Sequence, residues 1–286
     1  MAPARLLLGA ALPTIAATST AGSLTITGPG ASALIISGNN GNIGRNFNIF
    51  NIASGGNLAI SGVTVSGAIT TTGRGGAFNN SGSLSISNSI ITGNTALLAG
   101  GIVNYSNLTI TNSTISNNSA TLNGGNQGGG GIENVFAIAT ISNSTISGNT
   151  AVFSGGGIYN GSSTLTLANC TISNNTAGQQ GGGLFNNGTL TITNATVSGN
   201  TSASGAGGLH NDNGTINIAN TIIANSTNGV DYYGSANLIS PATASSNLVT
   251  QSGLAWATTV TSAQCTTQPW PPAKQQRSYL NHGFGW

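Results

Sequence analysis

Residues 182–202 read GGLFNNGTLTITNATVSGNTS. Within this stretch Leu190 and Ile192 alternate with Thr191 and Thr193. Such alternation is the period-2 signature of a strand with one buried face. Asn194 interrupts it, and Thr196-Val197-Ser198 follows as a second short strand with one inward aliphatic residue. The Gly182-Gly183 pair introduces a third, around Leu184. Turn-forming Asn, Gly and Ser join the three.

The unit recurs along the chain. Blocks of the LTIT type begin at Leu58, Leu84, Leu108, Ala139, Leu165, Leu190 and Ile216, at spacings of 26, 24, 31, 26, 25 and 26 residues. In phase with them run GGAFN at Gly75, GGIVN at Gly100, GGIEN at Gly130, GGIYN at Gly156, GGLFN at Gly182 and GGLHN at Gly207. The one long interval holds a Gly-rich insertion around Gly124 to Gly131. A fixed period of this length is the mark of a stacked repeat architecture. Each unit has only four or five aliphatic residues to bury and cannot fold alone. Stacking units about 4.8 Å apart pairs every strand with the next coil and makes the core continuous. Gly, Asn, Ser and Thr disfavour helix interiors, which excludes a helical solenoid. The expected fold is all-β: a parallel β-helix over residues 23–240, with three short strands in each coil of about 25 residues.

Stacking places like over like. Asn88, Asn112, Asn143, Asn169, Asn194 and Asn220 share one turn slot, and Asn94, Asn118, Asn149, Asn175 and Asn200 share another. An Asn amide can bond the Asn above and below it, and Asn tolerates left-handed backbone. Both rows are therefore expected to be structural ladders. The paired glycines are expected to supply positive φ and close backbone approach at the corner before the third strand.

Composition agrees with this design. Charged residues are 3% of the 286, against about 25% in an ordinary globular domain. The acids are Glu133, Asp212 and Asp231, the histidines His210 and His282, and the bases Arg5, Arg45, Arg74, Lys274 and Arg277. A charge in a repeated slot would face like charge one coil away, so neutral ladders suit the fold. No cluster of Lys and Arg offers a nucleic-acid footprint. No apolar run reaches the roughly 18 residues of a transmembrane segment. Cys170 and Cys265 form neither a metal motif nor a disulfide framework and read as free thiols. Neither cofactor nor metal is expected.

The GG(I/L)xN motif alternates with strands that end in aliphatic-x-x-Asn, as in Ile115 to Asn118 and Ile172 to Asn175. This resembles the GGAI and FxxN repeats of polymorphic outer membrane proteins. It also resembles the wider class of secreted bacterial right-handed β-helix proteins with pectate-lyase-like folds. The resemblance covers roughly residues 20 to 240 and departs in using Ile or Val where FxxN has Phe. It implies a right-handed coil and a place outside the cytoplasm, extracellular or at the outer membrane or cell surface.

Both ends depart from the pattern. Residues 1–22 admit two readings: a signal-like segment with Arg5 before the apolar run Leu6 to Ala11, or a truncated first coil. Residues 241–286 form an irregular tail unlike the repeat and unlike a transmembrane barrel, which needs many longer strands.

As a class, enzymes on pectate-lyase-like folds use clustered acids with a base, or paired carboxylates. Here Glu133 and His210 share one slot but stand three coils apart, about 14 Å. His210 and Asp212 read as a structural or solvated pair, and Arg74 as solvated. No catalytic or metal-binding set follows. On the outward side, Thr109/Thr111 and Thr191/Thr193 suggest a hydroxyl array that could order ice, but Ser85/Ser87, Thr166/Ala168 and Asn217/Ala219 interrupt it. The variable slot of the Gly-Gly motif carries Phe78, Val103, Glu133, Tyr159, Phe185 and His210. Two readings stay open. Phe78, Tyr159, Phe185 and His210 form an exposed stripe that stacks on a glycan or packs on a cell-surface protein, or they shield the corner. The expected function is a non-catalytic secreted or surface β-helix with an adhesin-like or structural role. The alternatives are a carbohydrate-active enzyme and an ice-binding surface.

Overall fold

Each strand pairs in parallel with its counterpart one repeat further along. Asn107–Thr111 lies between Ser83–Ser87 and Ile138–Ser142, and Thr114–Ser116 lies between Ile90–Thr92 and Thr145–Ser147. A computed structural model gives this arrangement and describes residues 2–16, 23–38, 46–121, 128–234, 238–239 and 248–249. The chain is a parallel β-solenoid of about eight turns of about 26 residues, with no helix among the described residues.

The coil has one more element than the three-strand reading. After the second strand a two-residue strand appears in five successive coils, from Thr95–Ala96 to Thr201–Ser202. Its inward residues are Ala96, Ala120, Ala151, Ala177 and Ser202, all buried. First and third strands share one fifteen-stranded sheet, second strands form a ten-stranded sheet, and the two-residue strands a five-stranded one.

The alternation in the LTIT blocks places Leu190 and Ile192 inside, each fully buried, with Thr191 and Thr193 outside. Ile91, Ile115, Ile146, Ile172 and Val197 line the core from the second sheet, and Ile102, Ile132, Ile158 and Leu184 from the third strands. Truncating any of these Ile or Leu side chains to Ala is expected to cost about 2–5 kcal/mol.

The two expected Asn rows divide the work. Asn94, Asn118, Asn149, Asn175 and Asn200 are buried, and each Nδ2 donates to the next Oδ1 at 2.9–3.0 Å. Asn88 and its counterparts are exposed and hold φ near +50° at the bend between first and second strands. Side-chain bonds join two pairs in that row, Asn169 to Asn143 and Asn220 to Asn194. A third ladder uses the Asn of the Gly-Gly motif. Asn80, Asn104, Asn134, Asn160, Asn186 and Asn211 are buried and linked at 2.7–2.9 Å.

The Gly-Gly corner also differs in detail. Positive φ falls on the residue just before the paired glycines, as at Ala99, Gly155 and Gly181. The pair itself is needed for approach: a Cβ on Gly156 would strike the backbone of Gly182 and Thr176.

Ala4–Leu7 pairs with Leu34–Ser37 at one end of the second sheet. Residues 17–22, the insertion at 122–127 and most of the tail from 241, with Cys265, Lys274, Arg277 and His282, lie outside the described residues.

Candidate functional site

The variable slot of the third strand is a column with the order Asn79, Val103, Glu133, Tyr159, Phe185, His210 and Tyr233. Phe78 does not belong to it. Ile102 pairs with Phe78, so the GGAFN copy is read one residue out of register. Phe78 points inward, is fully buried, and stacks on Phe50 at 5.0 Å. The slot assigned to it holds Asn79.

Tyr159, Phe185, His210 and Tyr233 form a continuous pile of rings, with centroids 5.0, 5.4 and 4.8 Å apart and planes within 13° of parallel. The expectation of an exposed stripe fails for the first three, which are 7%, 5% and 3% exposed. Each ring covers its neighbours' faces, and the loop before the paired glycines closes over the edge: a Cβ on Gly205 would meet His210 Nδ1. Tyr233 is half exposed. The reading that these rings shield the corner describes them. Burial lowers the His210 pKa below 6.5, against the pull of Asp212, and Nδ1 has no partner.

Arg74 is not simply solvated. Its Nη1 lies 3.2 Å from Glu133 Oε1, with Val103 occupying the slot between their coils. Glu133 is fully buried and its Oε2 makes no hydrogen bond. Burial raises the Glu133 pKa to about 7, while Arg74 pulls the other way. The same guanidinium bears on the Tyr105 phenol, whose pKa burial raises, Arg74 lowers, and Glu133 raises.

Tyr105 opens onto a surface groove that the sequence reading missed. The groove has a volume of about 610 Å³ and crosses the bends between third and first strands of four coils, at Tyr105, Phe136, Ser162 and Gly188. Phe136 is 78% exposed with φ +51°. Ile138 beside it is also exposed. The sequence signals for this site are Tyr105 and the apolar pair Phe136 and Ile138, in bends that the other coils fill mostly with Ser, Gly, Asn and Thr.

Apart from the Arg74–Glu133 pair, the ionisable side chains among the described residues are dispersed. Glu133 and His210 share a column with two rings between them, and Asp231 accepts the Ser226 amide at 2.7 Å. Among the described residues no three His, Cys, Asp or Glu side chains converge as a metal-binding set. No described helix is long and apolar enough to cross a membrane.

Fold and ladders together define the class: a parallel β-solenoid stacked on buried amide ladders. No protein-family model, curated protein or solved structure matches the chain.

Proposed function

We propose that this chain is a non-catalytic binding or structural rod displayed outside the cell, adhesin-like in character. The observation that carries this reading is the groove at Tyr105 and Phe136. It is a shallow, open, half-apolar surface that carries exposed rings, and no carboxylate, imidazole or amine lines it. The unbroken amide ladders support a stiff scaffold beneath it. The resemblance to polymorphic outer membrane protein repeats and to secreted pectate-lyase-like proteins supports the extracellular placement.

A carbohydrate-active enzyme is the second reading, and one observation favours it. Glu133 has a pKa near 7 beside a cation, a shift typical of catalytic acids. Against it, that carboxylate is fully buried and a substrate cannot touch it. Two measurements test the proposal. Protease treatment of intact cells of the source organism is expected to remove the chain, and a polysaccharide panel is expected to show no turnover. Protection inside the cell, or turnover lost in Glu133→Gln, overturns it.

A further inference from the structure

We propose that the Tyr105–Phe136 groove is a binding site for a neutral glycan chain lying across successive coils. This rests on the reading of the chain as a displayed binding rod.

Phe136 is the first argument. Left-handed backbone suits Gly and Asn, and a bulky side chain there is an outlier. Three bends between third and first strands carry an extra residue in this conformation, and the occupants are Phe136, Ser162 and Asn213, with φ of +51°, +50° and +60°. Asn tolerates such a position, and Asn213 Nδ2 donates locally to Asp212 Oδ1, while Ser162 is small and polar. Phe136 has no such compensation and presents its ring to water. Strained backbone and a solvated ring at one residue point to a role for the ring.

The second argument is what surrounds it. Tyr105, one coil away, is 36% exposed. Its phenol lies within the electrostatic reach of Arg74, which pairs with Glu133. The groove floor continues through Ser162, Thr164 and Thr189, all exposed, with hydroxyls that make no hydrogen bond inside the protein. A pyranose ring has an apolar C–H face and a rim of hydroxyls. Rings on one side and free hydroxyls along the floor match both features.

The third argument concerns what the groove rejects. No charged residue lines it, so a charged polymer would lose solvation without a counter-charge. Strand backbones here pair with the coils on either side. At the groove no sheet edge is therefore free to take a peptide by strand addition. A neutral polyhydroxy chain fits best.

The test is affinity electrophoresis and calorimetry of the full chain with a soluble β-1,3-glucan, a galactomannan and an arabinoxylan, with polygalacturonate as the charged control. At least one neutral polymer is expected to bind and polygalacturonate not to. Tyr105→Ala and Phe136→Asn are each expected to weaken binding tenfold or more. Phe136→Asn suits the left-handed backbone, so its melting temperature is expected to hold or rise, which separates lost binding from lost folding. No binding to any neutral polymer, binding untouched by both substitutions, or preference for polygalacturonate overturns the proposal. A chain exposed on cells that binds no glycan refutes the site and leaves the displayed rod standing. An intracellular location refutes the rod itself, whatever the polymers do.

Discussion

Arg74 and Glu133 meet at 3.2 Å although 59 residues and two turns of the solenoid separate them. Burial of Glu133, opposed by Arg74, gives stability one of its pH dependences. The folded pKa of Glu133, about 7, lies above its ordinary 4.5. The native state therefore holds this proton more tightly than the unfolded chain. That contribution is complete below pH 4.5 and is lost as pH rises through 7. Its size is on the order of 3 kcal/mol. His210 acts in the opposite sense: its folded pKa is lowered by burial, so its contribution is present above 6.5 and is lost on acidification. Below pH 6.5 the two oppose each other, and as pH rises from 6.5 through 7 the Glu133 loss is expected to show as a falling melting temperature that Glu133→Gln removes. In the Glu133→Gln chain the acid limb of His210 remains, and adding His210→Phe is expected to reduce it. An alkaline fall that survives Glu133→Gln assigns it elsewhere.

Asn149 is the centre of the buried ladder. Its Oδ1 accepts from the Asn118 amide and Nδ2, and its Nδ2 donates to Asn175 Oδ1 and to the Ile115 carbonyl. Asn149→Ala leaves several of these groups buried and unpaired. A loss of about 3 kcal/mol or more is expected in urea unfolding. A loss below about 1 kcal/mol would mean that water replaces the amide.

Much of this was readable in the sequence, and the failures have a common cause. Leu190 and Ile192 lie inside because a strand has two faces and the repeat samples one face many times. Averaging over copies works for any slot that stacks on itself. It fails where a single copy departs. Phe78 was misplaced because Gly75-Gly76 looks like the corner pair, although Gly75 holds the positive φ that Ala99 and Gly155 hold in later coils. The corner pair there is Gly76-Ala77. Arg74 reaches past its nearest neighbour, which no nearest-coil comparison detects. Phe136 sits in the variable bend, where the repeat imposes nothing.

Two glycines separate approach from dihedral strain. A Cβ on Gly156 would collide with the backbone of the next coil, which cannot step aside. Gly156→Ala is expected to destabilise by about 3 kcal/mol or more. Gly93 has open space around it and φ +64°. Gly93→Ala is expected to lose only about 1 kcal/mol of backbone preference. Gly93→Asn is expected to be near neutral, because Asn117 and Asn174 occupy the same place in other coils with φ of 53° and 55°. Equal losses for Gly156→Ala and Gly93→Ala in denaturant melts would refute the distinction.

Cys170 follows Asn169 in the place that Ser89, Ser113 and Ser144 take in other coils. Burial pushes its thiol pKa up, and Sγ lies 3.3–3.4 Å from the carbonyls of Ala168 and Ile141. In a Cys265→Ser background a thiol reagent at pH 8 is expected to label the chain only after denaturant is added. Cys170→Ser is expected to stay within about 1 kcal/mol of the parent, since it repeats the serine slot. Rapid labelling of the native chain would show that the corner opens.

The strands cross the stacking direction, so their hydrogen bonds point along it. Tension applied through the two ends of such a chain pulls on those bonds lengthwise and meets them one coil at a time. A coil peeled from the end releases about 26 residues, or roughly 80–90 Å of slack, while the coils behind it keep every ladder intact. A solenoid pulled in this way is expected to yield in steps and to dissipate work at each one, stretching several-fold before the last coil opens.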